Sequence, residues 1–463
     1  LVKYIKGDFA LNISKKCQKA KPIFDPERQM IEEKLPEIGR IPDGCWIVGG
    51  SIKYIYLDIY SDTYWVKFKC ENGGKFVILK DNRHEFSDYK QMSIEETIAH
   101  EKERLEKYYD FCVNRLVDFI KSHPDYIYIR SHSGGKDSNL MRSVWLDAEQ
   151  RLDFPPKGEW IFYNTTNETA DVYKDIKAMG IRIINPDKPW RKWLEGNNYM
   201  FPTVVRRSCC TTYKEGAGKK QFDHNKPICM VMGIRNTESI KRSQYEFYMD
   251  YKFDVLHLGS SNLPKKWSKL APIIECETVD VWLLTLLKEI HINRRYKLGS
   301  MRVGCVICPF SSNYADEITK THYKEQWRWF AEAITKNYNN YNSAALGWSL
   351  QEWISGAWKR MESKNHSIAH RKPTPENIKL LADIKGISED MAKKYFGATC
   401  GTCGKRCNEV EVAMFYKVFG RFEGVEDHRK PLCVKCFCAQ TGISTHDYWV
   451  KAKEFSEEGC PLF

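Results

Sequence analysis

Between Tyr126 and Pro186, strand-length apolar runs alternate with helix-length segments, and no other feature restricts the fold of this chain as much. "YIYIRS" leads into a helix-like pattern from about Ser138, "EWIFYNT" into another from about Thr169, and "IRIINP" follows. This is the βαβ pattern of an α/β fold with a doubly wound parallel sheet. Ahead of it, "SIEETIAHEKERLEKYYDFCVNRLVDFIKSHP" predicts one long helix. Ser93 and Glu96 make a capping box, apolar residues recur at three and four, and Pro124 stops it.

The first strand-to-helix junction reads "SHSGGKDS". A strand that ends in a glycine turn and opens a helix leaves backbone N–H groups pointing one way, with the helix dipole behind them, which is an anion site. Gly134 and Gly135 allow close approach of phosphate oxygens. Ser133 and Ser138 add hydroxyl donors, and Lys136 adds a mobile positive charge. A plain glycine turn with a capping Asp or Ser is the alternative. The spacing is not that of a Walker A loop.

Three ordered segments carry a family resemblance. "SGGKDS" resembles the pyrophosphate-binding loop of the adenine nucleotide alpha-hydrolase superfamily of PP-loop ATP pyrophosphatases. "GIRNTESIKR" is similar to the G-x-R-x-x-E-S-x-x-R segment of its phosphoadenosine phosphosulfate reductase-like branch, at Gly233, Arg235, Glu238, Ser239 and Arg242. "LAPIIECETVDVWLLTLLKEIHINRRYKLGSMRVGCVICPF" resembles that branch's closing segment. The similarity spans about 125 to 312. It implies an enzyme that binds ATP with Mg2+ and releases pyrophosphate as an acceptor oxygen is adenylated. Lys136, Asp137 and Arg235 are the implied catalytic residues. Ser133, Gly134, Gly135, Lys136, Asp137, Ser138, Gly233, Arg235, Glu238 and Arg242 are the implied nucleotide-binding set. Asp137 would hold the loop or orient the Mg2+ shell, and Asn164 and Glu168 in "YNTTNET" are further candidates to meet the nucleotide. The intact loop, together with a tail "EEGCPLF" unlike that of sulfonucleotide reductases, looks more like the ATP pyrophosphatase of the Dnd DNA phosphorothioation system.

Cysteine usage sharpens this picture. There are 17 cysteines, and eight of them fall in pairs: Cys209/Cys210, Cys305/Cys308, Cys400/Cys403 and Cys433/Cys436. Paired spacing in a large chain without a signal-peptide pattern reads as metal ligation in a reducing, cytoplasmic setting. Cys17, Cys45, Cys70, Cys112, Cys229 and Cys276 read as small buried hydrophobes. Cys209, Cys210, Cys305 and Cys308 resemble the four-cysteine 4Fe-4S pattern of assimilatory sulfonucleotide reductases, with a zinc site or buried thiols as alternatives. Cys400, Cys403, Cys433 and Cys436, with Cys407, Cys438 and His428 nearby, form two Cys-x-x-Cys knuckles of a Zn2+ module.

The remaining expectations concern organisation and partners. Residues 1–92 read as a small β-rich module and 93–312 as the pyrophosphatase-like domain. Residues 313–396 read as a helical region whose "LADIKGISEDMAKKYF" is similar to half a helix-hairpin-helix element, and 397–463 as a four-cysteine zinc module. A formal net charge of +12 favours a polyanionic partner, DNA or tRNA. A sulfur donor such as a cysteine desulfurase fits the implied pathway, and no membrane segment is apparent. A small-molecule sulfonucleotide reductase and a nucleotide-switched nucleic-acid-binding module are the two other functions these features admit.

Overall fold

The computed structural model describes residues 13–204, 206–215, 221–239, 242–258, 264–361, 364, 372–420, 429–457 and 460–463. The chain divides into two units, residues 1–336 and 337–463.

The first unit opens with an antiparallel sheet in the order β1-β2-β3-β4-β5. Its strands are β1 (Lys21–Pro22), β2 (Trp46–Val48), β3 (Ile52–Tyr56), β4 (Val66–Cys70) and β5 (Phe76–Asp81). Alternation sets which face is buried: Val66, Phe68 and Cys70 point inward while Lys67 and Lys69 between them are half-exposed. Met30 and Ile31 of helix α1 (Asp25–Lys34) share that core, and Tyr314 and Ile318, from far along the chain, complete it.

Helix α2 (Ile94–Ser122) begins where its capping box predicts. The Ser93 side chain accepts the Glu96 N–H, and the Glu96 carboxylate accepts the Ser93 N–H. Its buried stripe of Leu105, Cys112, Leu116 and Ile120 faces the second sheet. That sheet has the order β10-β11-β9-β6-β7-β8. The strands are β6 (Ile127–Ser131), β7 (Gly158–Tyr163), β8 (Arg182–Ile184), β9 (Ile228–Met232), β10 (Tyr248–Asp250) and β11 (Ser268–Leu270). All pair in parallel except the edge strand β10.

Helices cover both faces of this sheet. On one face, α3 (Lys136–Gln150) and α5 (Thr278–Leu287) join α2 around Leu140, Trp145 and Trp282. On the other, Val172 and Ile176 of α4 (Ala170–Ala178) pack on Phe162 and Ile181. The chain moves outward from β6 to β7 and β8, then crosses to the opposite side of β6 to lay down β9. The strand order therefore reverses between β6 and β9. In open α/β sheets a crevice opens at that point, outside the carboxyl ends of the strands. The loops that leave those two ends are "SHSGGKDS" and "GIRNTES".

The second unit is helical. Its core gathers Leu381, Ala413, Phe437 and Tyr448, all fully buried. Helices Pro375–Lys385 and Glu389–Lys393 join through Gly386, so the "LADIKGISEDMAKKYF" stretch is a helix pair with a glycine turn. Among the described residues no helix is long and apolar enough to cross a membrane.

Candidate functional site

The anion loop forms at the end of β6. Gly134 has φ +76, a left-handed conformation that the following turn into α3 requires and that side chains resist. The helix starts at Lys136, earlier than the apolar pattern suggests, because Gly135 takes the N-cap place with φ −90 and ψ 165. Ser138 therefore lies inside the first turn. Its Oγ accepts the Ser133 N–H at 3.1 Å and bonds Ser133 Oγ at 2.8 Å, closing the loop on itself.

The second loop meets the first directly. At Gly233, just past β9, a Cβ would lie 2.6 Å from the Asp137 carbonyl oxygen and 2.9 Å from the Ser138 nitrogen. Only glycine lets that backbone lie against the first turn of α3. The approach aligns a row of alternating charges. Lys136 Nζ donates to Asp137 Oδ2 at 2.6 Å, and Arg235 Nε donates to Asp137 Oδ1 at 2.7 Å. Arg235 Nη2 lies 3.9 Å from Glu238 Oε1, and Glu238 pairs with Arg242. Arg235 is held further by the Cys276 carbonyl at 3.2 Å and by Thr278 Oγ1 at 3.1 Å. Both carboxylate oxygens of Asp137 are thus engaged by cations, which fits the loop-holding role. Burial would raise its pKa, yet Lys136 and Arg235 outweigh burial and hold it below the usual carboxylate value. Lys136 is pushed down by burial, with Asp137 opposing the shift.

Two residues of this region lie outside the implied nucleotide-binding set. His132 is buried and accepts the Gly134 N–H on Nδ1 at 3.2 Å, so its proton sits on Nε2. Burial first, and Arg142 second, lower its pKa to about 4. Tyr296 places its hydroxyl oxygen 3.1 Å from the Lys136 nitrogen and accepts that N–H. The only trace of either in the sequence is a polar residue at a strand end and a tyrosine within the closing segment.

The central cysteines come from two segments. Cys209 and Cys210 sit on the short helix Ser208–Cys210, while Cys305 and Cys308 follow the Asn293–Ser300 turn. The Cys209 thiol is pushed up by Cys210 first and then by burial, with Cys305 and Cys308 adding. Lys214 is raised chiefly by Cys305, with burial opposing and Glu168, Cys210 and Cys308 adding. Three of these thiols thus act on one ammonium, while among the described residues only the C-terminal set gathers three or more ligand atoms within 4.8 Å of one another. The loop after β7 is stapled to this place: the Asn167 amide donates to the Ile307 carbonyl at 2.9 Å, and Thr165 Oγ1 lies 3.6 Å from Cys305 Sγ. Glu168 faces the cysteines here, and Asn164 is engaged with Asn185, Thr166 and Tyr173.

The C-terminal set is tighter. The sulfurs of Cys400, Cys403, Cys433 and Cys436 all lie within 4.8 Å of one another, and Cys403 and Cys433 are 3.7 Å apart. Zinc–thiolate bonds of about 2.3 Å make the edge of a tetrahedron of four sulfurs about 3.8 Å, so this donor set fits a tetrahedral ion. Burial opposes ionisation of Cys400, but the backbone amides of Cys433, Cys403 and Thr402 outweigh it and bring its pKa to about 6. Cys407 is buried beside the set, and His428 lies outside the described residues. The single cysteines Cys17, Cys45, Cys70, Cys112, Cys229 and Cys276 are all buried, as their isolation in the sequence implies.

Comparison with known proteins agrees with the central motifs. Residues 127–311, from the first residue of β6 to just beyond Cys308, match the phosphoadenosine phosphosulfate reductase domain. Two uncharacterized proteins of Methanocaldococcus jannaschii are each 24% identical to this chain. One aligns over 63% of this chain and 60% of its own length, the other over 52% and 48%. The chain thus spans only about half to three fifths of these curated relatives. Among solved structures, a phosphoadenylyl-sulfate reductase of Candida auris is 12% identical, covering 47% of this chain and 97% of its own, with a TM-score of 0.30. A U34-tRNA thiolase of Methanococcus maripaludis, solved with its 4Fe-4S cluster, is 13% identical over 63% of this chain and 86% of its own, also with a TM-score of 0.30. An FMN adenylyltransferase of Candida glabrata is 13% identical over 44% and 62%, with a TM-score of 0.29. Likenesses this slight add nothing to the fold that the strand order itself defines.

Proposed function

We propose that this protein is an ATP pyrophosphatase that adenylates an oxygen of a nucleic-acid acceptor, DNA or tRNA, in a sulfur-modification pathway of which DNA phosphorothioation is one example. The carrying observation is the convergence of Lys136, Asp137 and Arg235 with the Gly134–Gly135 turn at the reversal point of the sheet. Backbone N–H groups and cations gathered there suit a triphosphate, and phosphoryl transfer depends mostly on positioning and charge neutralisation. The acceptor oxygen would form a bond to the α-phosphorus as the bond to pyrophosphate breaks, and Mg2+ would share the charge of the leaving group. The oxygen then leaves as part of AMP when a sulfur nucleophile, supplied by a donor such as a cysteine desulfurase, takes its place. Four neighbouring thiols at Cys209, Cys210, Cys305 and Cys308 support a sulfur-linked role, and a 4Fe-4S cluster bound there would supply a Lewis-acidic or redox-active iron. The +12 charge and the appended four-cysteine module, which suits Zn2+, support a nucleic-acid partner.

The test is to incubate anaerobically purified protein with ATP and Mg2+, with and without DNA, tRNA or a sulfate ester. The expected products are AMP and pyrophosphate, released faster with nucleic acid; ADP and inorganic phosphate would overturn the reading. Nucleic-acid binding should weaken steeply as salt rises, because phosphate contacts release counterions. A sulfonucleotide reductase remains the rival, favoured by the family match over residues 127–311. It requires a nucleophilic cysteine near the end of the chain, so loss of sulfonucleotide turnover in Cys460→Ser, with no nucleic-acid binding at low salt, would decide for it.

A further inference from the structure

The phenol of Tyr296 stands between the two halves of the site. Its oxygen accepts the Lys136 N–H of the anion loop at 3.1 Å, and a Cβ on Gly135 would come within 3.2 Å of it. The neighbour of Tyr296 in the same turn, buried Arg295, donates from Nη1 to the Gly304 carbonyl at 2.9 Å, one residue before Cys305. The ring is fully buried and set edge-on against Trp282, with centroids 5.0 Å apart at 86°. One short turn therefore ties the loop that would hold phosphate, through Tyr296, to the loop that carries Cys305 and Cys308, through Arg295.

Tyr296 is itself held from the N-terminal sheet module. Lys21 Nζ, fully buried, donates to the Tyr296 carbonyl at 3.3 Å and to the Pro22 carbonyl at 3.0 Å, and pairs with Glu27. Glu27 Oε1 accepts the Tyr314 hydroxyl at 3.0 Å. The chain at Gly299 runs so close to α1 that a Cβ there would lie 3.1 Å from Glu27 Cγ. Burying an ion pair of this kind is a poor way to gain stability, because desolvation offsets most of the attraction. What such a pair does supply is a directional hold on one carbonyl.

We propose that Tyr296 is a positioning residue that couples the anion loop to the cysteine loop, and that the buried Lys21–Glu27 pair of the N-terminal module sets its place. The inference rests on the nucleotide-binding reading of the loop. It gives residues 21–27, which no motif implicates, a part in the chemistry. With Oη in place the Lys136 amide is satisfied, and the turn that holds Gly304 through Arg295 also holds the anion loop. Without it, the buried Lys136 N–H loses its acceptor and the anion loop is freed from the turn.

Tyr296→Phe keeps the ring on Trp282 and deletes only the oxygen. In the full chain, calorimetric affinity for the Mg2+ complex of α,β-methylene-ATP should fall about tenfold, the loss expected for roughly one buried hydrogen bond. Hydrogen exchange across residues 301–310 gives the second readout. Nucleotide should slow it in the wild type and leave it unchanged in Tyr296→Phe, an effect that a merely structural tyrosine would not produce. Lys21→Met removes the hold on the Tyr296 carbonyl while Lys53 remains near Glu27, and it should weaken binding about threefold. Wild-type affinity and wild-type exchange protection in Tyr296→Phe would overturn the proposal. A lower melting temperature with unchanged affinity in Lys21→Met would remove the N-terminal pair from it. If the wild type itself binds no nucleotide, the functional reading falls and this inference with it; unaltered variants of a binding wild type defeat this inference alone.

Discussion

Two groups of four cysteines are built in opposite ways. The C-terminal group is built from two local knuckles, Cys400-x-x-Cys403 and Cys433-x-x-Cys436, whose sulfurs close to within 4.8 Å of one another around a short helical core. The central group takes Cys209 and Cys210 from one segment and Cys305 and Cys308 from another far along the chain, and among the described residues only the C-terminal group gathers its ligand atoms so closely. The first group sits in a small module whose knuckles are also shaped by backbone bonds such as Cys400 N–H to the Lys405 carbonyl and Gly401 N–H to the Pro431 carbonyl. The second belongs to the larger unit built on the parallel sheet. Ligands from a small module should therefore matter to folding, and ligands hung on a large sheet should matter to chemistry.

The largest expected effect breaks the first half of that contrast. Cys433→Ser, or a strong chelator, should unfold much of residues 397–463, because binding of a structural Zn2+ is worth about 10–16 kcal/mol in small zinc modules. Helical circular dichroism together with hydrogen exchange of helices Glu409–Phe419 and Val434–Thr441 measures it, while nucleotide affinity should stay intact. Unchanged exchange in those helices after complete zinc removal would show that the module is held by its apolar core instead.

Cys305→Ser tests the second half. Anaerobically purified protein should hold about four irons per chain under the cluster assignment, and the variant should lose them and its brown colour. Zinc content should not change, and the melting temperature should move by only a few degrees. Iron-free, colourless wild-type protein with two zinc ions would make the two groups chemically alike. A third experiment separates both groups from the anion loop. Lys136→Ala should weaken ATP binding about ten- to a hundredfold, as expected for a charge-assisted contact of about 1.5–3 kcal/mol, with iron and zinc retained. Asp137→Ala should reduce rate more than affinity.

The smallest effect concerns the ungrouped cysteines. Burial raises Cys17, Cys45, Cys70, Cys112 and Cys229 from 9.0 to about 12, with neighbouring acids adding at some sites. A folded thiol with a raised pKa keeps its proton where the unfolded one has lost it. Their contribution to stability is thus complete below about pH 9 and is lost as pH rises toward 12. Denaturant titrations over that window should show a falling unfolding free energy, and Cys229→Ala should make the fall shallower. An identical slope in the variant would mean that Cys229 does not take part.

Sequence reading reached the site unevenly, and the reasons are physical. The capping box at Ser93 and the apolar stripe of α2 were legible because both are local patterns, enforced within one turn or a few. The start of α3 was displaced, since Gly135 lacks any side-chain cap and only the tertiary crevice makes it the N-cap. Glu168 illustrates the limit of a motif. It stands after the second strand of the sheet as the resemblance implies and bonds Thr165, Asn167 and Tyr173, yet its charge acts on Cys305 and Lys214, brought there by the fold from distant parts of the chain.

By itself, the sequence determined the elements and the chemical inventory: which segments are strands or helices, where glycine must stand, and which thiols come in pairs. Those properties follow from side-chain periodicity, backbone sterics and spacing along a single segment. Only the tertiary structure decided which groups meet. The reversal of strand order between β6 and β9 lays Gly233 on the first turn of α3 and so puts Arg235 on Asp137. The closing turn carries Tyr296 beneath the loop, and the N-terminal module grips it through Lys21. A hydrogen bond between residues 160 positions apart, or 275, leaves no mark on either local pattern, because its energy depends on where the sheet and the turn place the two atoms and not on what lies beside them in the chain.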